Sequence, residues 1–419
     1  MRRMDPFHAA LSVVKGLEEA GFKAYLVGGC VRDLLLGREP VDYDVCTDAR
    51  PDQVQSLFQQ TVATGIRHGT VTVIIGGHPV EVTTFRVEGA YRDGRRPGHV
   101  RFIRDVKEDL ARRDFTINAM ARDLRGRLID PFGGQKDLER RVIRTVGAAA
   151  DRFREDALRM VRAVRFAAQL EFSLHPETAE AIRQMAPDLA CLSVERITRE
   201  LEKIWESKHP SQAIDFFFRL GMMDHLPPFH RWNLGSRSRF SRLTSLDEIP
   251  SRKGRWALLL HLCGIEPVNA AKRLRELRLP KRDVEEISRL YRTAASWPSS
   301  LTEEEGKRRI FRDGIGFCRE ALEVSFRMGI IDAENRLRQS EELNRWAEEM
   351  PIQKLEDLAV NGKDLIDATG RPSGPWVGRT LRQLADAVVL GRLANDHQLL
   401  IEEGVRIGRD ASEDPGVDD

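Results

Sequence analysis

The sequence predicts an α+β protein: a small mixed α/β head at the N-terminus, followed by a long, all-helical remainder. Strand and helix signals alternate up to about residue 146, whereas from about 151 to 400 the apolar residues recur only at three- and four-residue spacing. A chain of 419 residues also exceeds one compact core and implies roughly two to four domains.

Within the head, "FHAALSVVKGLEEAG" reads as an amphipathic helix ending at Gly21, and "KAYLVGG" as a buried strand. "HGTVTVIIGGHPVEVTTF" reads as a hairpin whose β-branched arms turn at Gly76-Gly77. The remainder is carried by helical patterns such as "EDALRMVRAVRFAAQL", "VERITRELEKIW", "DVEEISRLYRTAA" and "TLRQLADAVVLGRL". Breaks are expected near Gly147, Pro210, the Ser/Arg-rich stretch 235–255 and Trp297-Pro298. The acidic end "DASEDPGVDD" reads as disordered.

No apolar run is long enough to span a bilayer, and "MRRMDPFHAA" lacks the apolar centre of a signal peptide, so a cytoplasmic protein with no membrane partner is expected. Five scattered cysteines without a CxxC pair indicate neither zinc nor a disulfide framework. The formal charge of +2 is the difference between 67 basic and 65 acidic residues. What matters is the clustering of arginine in "YRDGRRPGHVRFIR", "ARRDF", "MVRAVRF" and "HRWNLGSRSRFSR", which suits a polyanionic partner.

The chemistry begins in "LVGGCVRDLLLGREPVDYDV". A strand ending in Gly28-Gly29 and feeding a helix lets backbone amides approach a phosphate, and Arg32 projects from the first turn. If 42–44 is strand, Asp42 and Asp44 share one face. Neighbouring carboxylates repel, and their hard oxygens select Mg²⁺ or Mn²⁺. A phosphate turn with paired carboxylates suggests metal-assisted nucleotidyl transfer. Glu81, in "HPVEVTTF", is a candidate third carboxylate, a solvent-facing strand glutamate being the plainer reading.

Helical spacing over 108–124 would bring Arg113, Asp114 and Asn118 together, with Arg113 placed to clamp a triphosphate. In "EDALRMVRAVRF", Asp156 and Arg159 would share a helix face, continued by Arg162 and Arg165. A solvated basic face would look similar. A carboxylate beside a guanidinium, however, matches the amine donor and ring-nitrogen acceptor shared by cytosine and adenine, and clashes with the opposite order in guanine and uracil.

Taken together, these motifs resemble the class II tRNA nucleotidyltransferases, the CCA-adding enzyme and poly(A) polymerase family of the polymerase β-like nucleotidyltransferase superfamily. "LVGGCVRD" with "DYD" resembles its first motif, "RRDFTINAMA" its second, "DPFGGQKDL" its third, "EDALRMVRAVRF" its base-selecting fourth and "ERITRELEKI" its fifth. "LAVNGKDLI" and "GPWVGRTLRQLADAVVLGRL" resemble tail segments of the CCA-adding branch. The resemblance implies a catalytic head over 1–146, a helical neck over 147–209, an RNA-binding body over 210–297, a tRNA-binding tail over 298–408 and a disordered acidic end over 409–419. It further implies that Asp42 and Asp44 hold catalytic Mg²⁺, that Gly29, Arg32 and Arg113 contact the nucleoside triphosphate, and that Asp156, Arg159, Arg162 and Arg165 read or frame the base. The expected substrates are tRNA, CTP and ATP, with no protein partner implied. Between the first two motifs, "EGAYRDGRRPGHVRF" resembles the flexible loop needed for the final A. An A-adding enzyme, a poly(A) polymerase or an RNA-binding protein with an inactive site are the alternatives, and residues 229–256 match nothing in the family.

Overall fold

The computed structural model describes residues 4–89, 100–232, 234 and 241–410. The chain divides into two compact units, the first formed by 1–233 together with 276–278 and the second by 234–275 and 279–419.

The first unit opens with α1 (Pro6–Glu19), β1 (Ala24–Val27), α2 (Gly29–Leu35), β2 (Asp44–Thr47), α3 (Pro51–Leu57), β3 (Thr61–Gly65), β4 (Thr70–Ile75) and β5 (His78–Thr84). Asp5 caps α1 by accepting from the His8 amide, and Pro6 fills the first turn, where no amide partner is missed. That helix buries Ala9, Ala10, Val13, Val14 and Leu17, as its spacing predicts. Gly76 and Gly77 both adopt positive φ, 58° and 83°, as a two-residue hairpin turn between β4 and β5 requires.

Next come β6 (Arg86–Glu88), β7 (Val100–Phe102), α4 (Val106–Ala111), β8 (Ala121–Arg122), β9 (Leu128–Ile129) and α5 (Gly134–Glu139). The seven-stranded mixed sheet runs β3-β4-β5-β2-β1-β8-β9, with β2 and β5 parallel and its other pairs antiparallel. Val27, Cys46, Phe85, Leu110, Ala119 and Ala121 form a buried cluster that ties β1 and β2 to α4. The strands beyond β5 are too short for a two-residue period to show, which is why strand signals fade there in the sequence.

The unit closes with β10 (Val142–Ile143), α6 (Ala149–Glu155), α7 (Leu158–Leu170), β11 (Ser173–Leu174), α8 (Pro176–Met185), α9 (Val194–Trp205) and α10 (Pro210–Arg219). α7 packs against both α9 and α10. Residues 276–278 return to this unit: the Trp232 indole donates to Glu276 at 2.8 Å and the Thr198 hydroxyl to the Leu277 carbonyl at 2.7 Å.

The second unit is helical among its described residues: α11 (Ser245–Glu248), α12 (Arg252–Leu262), α13 (Ala270–Glu276, ending at the return to the first unit), α14 (Lys281–Ala295), α15 (Glu303–Asp313), α16 (Ile315–Met328), α17 (Ala333–Glu349), α18 (Gly362–Thr369), α19 (Pro375–Val389) and α20 (His397–Asp410). α12 packs on α14 and α16, α15 on α17, and α18 to α20 on one another. α20 runs to Asp410, past the expected start of the acidic tail at 409. Most of the loop expected at 88–102 and the last nine residues lie outside the described residues.

Candidate active site

β1 delivers the chain to Gly28, whose φ of 80° and ψ of −129° open the turn into α2. A Cβ there would lie 2.7 Å from an Arg113 Nη1, so the missing side chain is what admits that guanidinium. Gly29 begins the helix and has room, since a Cβ there would meet only Arg32 Nη2, at 3.7 Å. Arg32 is already engaged. It forks onto Asp33 at 2.8 and 2.9 Å, donates to Asn118 Oδ1 at 2.8 Å, and lies over the Phe166 ring.

Asp42 precedes β2 rather than lying in it, because the strand begins at Asp44. The shared strand face expected for the pair is therefore not formed, but Asp42 still acts on Asp44 electrostatically. Burial pushes the Asp44 carboxyl up to about 6, with Asp42 and Glu81 adding to the rise and the Arg113 guanidinium opposing it. Glu81 is the register partner of Asp44 across the parallel β2–β5 pair. Among the described residues no group of three or more His, Cys, Asp or Glu is arranged to hold a metal ion. Two neighbouring carboxylates still fit a hard divalent cation that completes its shell with water and substrate phosphate, since a cation would offset the burial, and after it the repulsion, that raise Asp44.

The second motif is not one helix. α4 stops at Ala111, and a short 3₁₀ turn at Thr116–Asn118 follows before β8. Asp114 and Asn118 still meet, at 3.3 Å. Arg113 is held loosely, 3.8 Å from Asp109 and 3.5 Å from the Asn118 carbonyl, with a buried Nε lacking any hydrogen-bond partner. Asp109 was not singled out from the sequence. It is buried and accepts from the Arg86 amide at 3.1 Å and from Arg112 Nε at 2.9 Å.

Asp156 does not lie on the helix face with Arg159. It occupies the extended junction between α6 and α7, at φ −155° and ψ 107°, where one oxygen accepts from the Leu158 amide at 3.0 Å. Arg159 is anchored by Glu155 and reaches the Arg152 and Arg112 carbonyls. Arg162 forks onto Asp114 at 2.8 and 2.5 Å. Burial alone would raise the Asp114 carboxyl, but Arg162, Asn118 and Arg159 outweigh it and leave it below the usual carboxylate range.

Arg112, Arg113, Asp114, Asp156, Arg159 and Arg162 line one pocket of about 310 Å³. Its walls thus join the second and fourth motifs, and Arg113 is common to this pocket and to the field acting on Asp44. Arg165 is the exception. Its guanidinium donates to Glu200 and Gln169 at 2.5 Å each and stacks 3.9 Å over Phe166, so it is buried behind the pocket rather than in it. The apparent excess of arginine on α7 is therefore met by acids from neighbouring segments: Glu155, Asp114 and Glu200.

The comparisons follow the same course along the chain. A family model described as the poly(A) polymerase head domain matches residues 24–144, one for a probable RNA- and SrmB-binding site of polymerase A matches 171–232, and one for a putative tRNA nucleotidyltransferase domain 2 matches 248–403. The CCA-adding enzyme of Geobacillus thermodenitrificans is 42% identical over 94% of this chain and 95% of its own length. That of Bacillus subtilis is 41% identical over 94% of this chain and 97% of its own. The crystal structure of the Bacillus stearothermophilus CCA-adding enzyme in complex with CTP aligns at a TM-score of 0.81 and 37% identity, covering 98% of this chain and 99% of that one. With such identity sustained from the head through the helical remainder, the chain belongs to the CCA-adding enzyme family of tRNA nucleotidyltransferases.

Proposed function

We propose that this protein adds the 3′-terminal CCA to tRNA without a template, consuming CTP and ATP and releasing pyrophosphate. The observation that carries this reading is the single pocket in which Asp156 and Arg159 stand with Arg113, the arginine that also acts on Asp44. Base and phosphate groups of one nucleotide have matching partners there.

Asp42 and Asp44 would hold Mg²⁺. Bound there, the metal would acidify the attacking 3′ hydroxyl and steady the departing pyrophosphate. The remaining work falls to the chain itself. Arg113, whose Nε is unpartnered, takes the triphosphate, and the first turn of α2, beginning at Gly29, brings backbone amides near it, the Gly28 amide being donated to the Met120 carbonyl. Asp156 accepts from the exocyclic amine of C or A while Arg159 donates to the ring nitrogen. Arg162 fixes Asp114 at the pocket wall rather than contacting the base. Arg32 holds Asn118, and through it the turn that follows Arg113.

In this reading the head (1–146) performs the chemistry, the neck (147–209) selects the base, and the body (210–297) and tail (298–408) hold tRNA in the cytoplasm. No described helix is long and apolar enough to cross a membrane. The CTP complex of the Bacillus stearothermophilus relative favours full CCA addition over A-only or poly(A) synthesis.

The test is incorporation of labelled CTP and ATP on tRNAs ending before CCA, after one C and after CC. Both labels should enter the first substrate, and only ATP the last. Incorporation of ATP alone on every substrate would replace this reading with A-addition. Asp42→Ala should reduce incorporation to background while tRNA affinity stays within a few-fold. A parallel loss of tRNA affinity would instead make Asp42 structural.

A further inference from the structure

The fifth motif, "ERITRELEKI", has no part in the chemistry described so far, yet it supplies two side chains directly behind the base pocket. α9 carries Arg196 and Glu200 four residues apart, hence on one helix face. Arg196 Nη2 donates to Asp156 Oδ2 at 2.6 Å, across 40 residues of sequence, and both side chains are mostly buried, at 17% and 16% exposure. Glu200, one turn on, accepts from Arg165 at 2.5 Å and lies 3.9 Å from Arg162.

Asp156 needs such support. It lies in extended backbone between two helices, so no helical rotamer confines it, and among the described residues the other hydrogen bond to its carboxylate comes from the Leu158 amide. Arg159 is anchored separately, by Glu155 and the carbonyls of Arg152 and Arg112. The side chains proposed to read the base therefore rest on different partners, and Arg196, from outside α6 and α7, adds to the Leu158 amide the second contact that fixes the angle of the carboxylate relative to the guanidinium. Arg196 does not line the pocket.

We propose that Arg196 is a specificity-determining positioning residue: it clamps Asp156 Oδ2 so that the carboxylate presents its free lone pairs toward the exocyclic amine of C or A. A carboxylate has about four acceptor positions. Arg196 and the Leu158 amide take two, one on each oxygen, leaving the remainder oriented and acceptor-only. A carbonyl in the same place, as in U or G, meets no donor. Without Arg196 the carboxylate can turn about its terminal torsion, which is broad, and discrimination fades before binding does.

This inference rests on the reading of Asp156 as a base-contacting group, and the experiment separates the two. The ratio of kcat/KM for CTP over UTP is measured on tRNA lacking CCA for wild type, Arg196→Ala, Arg196→Lys and Asp156→Ala, alongside tRNA affinity and thermal midpoint. Arg196→Ala should lower the ratio about tenfold, the scale of one charge-assisted hydrogen bond, with tRNA affinity unchanged. Arg196→Lys, which keeps the charge but loses the planar fork, should lower it by a smaller factor. A ratio lowered in Asp156→Ala but unchanged in both Arg196 variants overturns the inference alone. A ratio unchanged in Asp156→Ala overturns the reading of the base as well. Should Arg196→Ala fail to fold, Arg196→Lys decides: a wild-type ratio refutes the clamp, a lowered ratio at wild-type tRNA affinity supports it.

Discussion

Gly28 concentrates more of the site's requirements than any charged residue beside it. Its backbone lies where side chains with a Cβ are strained, at a cost of about 1–3 kcal/mol, and the space a Cβ would fill belongs to the Arg113 guanidinium. Gly28→Ala should therefore lower the thermal midpoint and raise KM for CTP and ATP together, by about tenfold if Arg113 gives up one charge-assisted hydrogen bond. Gly29→Ala should be close to neutral in stability, because Gly29 has helical backbone and its Cβ would meet only ordinary contact. Steady-state kinetics and thermal denaturation of both variants check this; an equal effect at 28 and 29 would mean that the turn as a whole, not the approach of Arg113, sets nucleotide affinity. Residue types are the most readable part of the sequence. Their partners are not: of the six side chains in the pocket wall, Arg113, Asp156, Arg159 and Arg162 are candidates from the motifs, Asp114 is marked by its spacing, and Arg112 stands in the second motif and its basic island without a role of its own. Arg165 lies behind the pocket, and the acid that buries it there, Glu200, sits 35 residues away, too far for helical spacing to show.

At the scale of elements, the third motif does its work through packing. Asp130 accepts from the Gly134 and Gln135 amides at 2.7 and 2.9 Å, satisfying the first turn of α5, and Asp137 accepts from the Thr116 hydroxyl at 2.7 Å. Gly134 sits directly against the 3₁₀ turn that presents Asn118 to Arg32: a Cβ at 134 would stand 2.3 Å from the Thr116 carbonyl oxygen. Since backbone cannot yield as a side chain tip can, Gly134→Ala should destabilise the first unit by about 1–3 kcal/mol, measured as a shift of the denaturant midpoint at constant slope. An unchanged midpoint would show that α5 can slide without cost. Long periodic elements such as α1, the β4–β5 hairpin and α7 were legible because burial imposes a period on them. The second motif and the Asp156 junction were not, for a helix-like spacing of polar residues survives even where the chain breaks into a short helix, a 3₁₀ turn and a strand, and hydrogen bonds such as Asn118 to Asp114 can form without a continuous helix.

At the scale of the whole molecule, a net charge of +2 gives no hint of a polyanionic substrate, so any affinity for tRNA must come from local imbalance. In the second unit α19 offers one. Arg379, Arg382, Gln383 and Asp386 line a pocket of about 390 Å³, and the acid among them is already neutralised, because Arg308 of α15 forks onto Asp386 at 2.7 and 3.0 Å. Arg379 and Arg382 are exposed, and their charge is left facing the pocket. If the tail holds the tRNA backbone as proposed, these two arginines meet phosphates and carry no sequence information. The double substitution Arg379→Ala with Arg382→Ala should then weaken tRNA binding and flatten its salt dependence between about 50 and 200 mM, by about one unit of slope for each phosphate no longer neutralised. CTP affinity should not change, since the nucleotide pocket lies in the other unit. Weaker binding with an unaltered slope would assign the two arginines to the stability of α19 instead, and an unaltered affinity would place the tRNA contacts elsewhere on the helical unit.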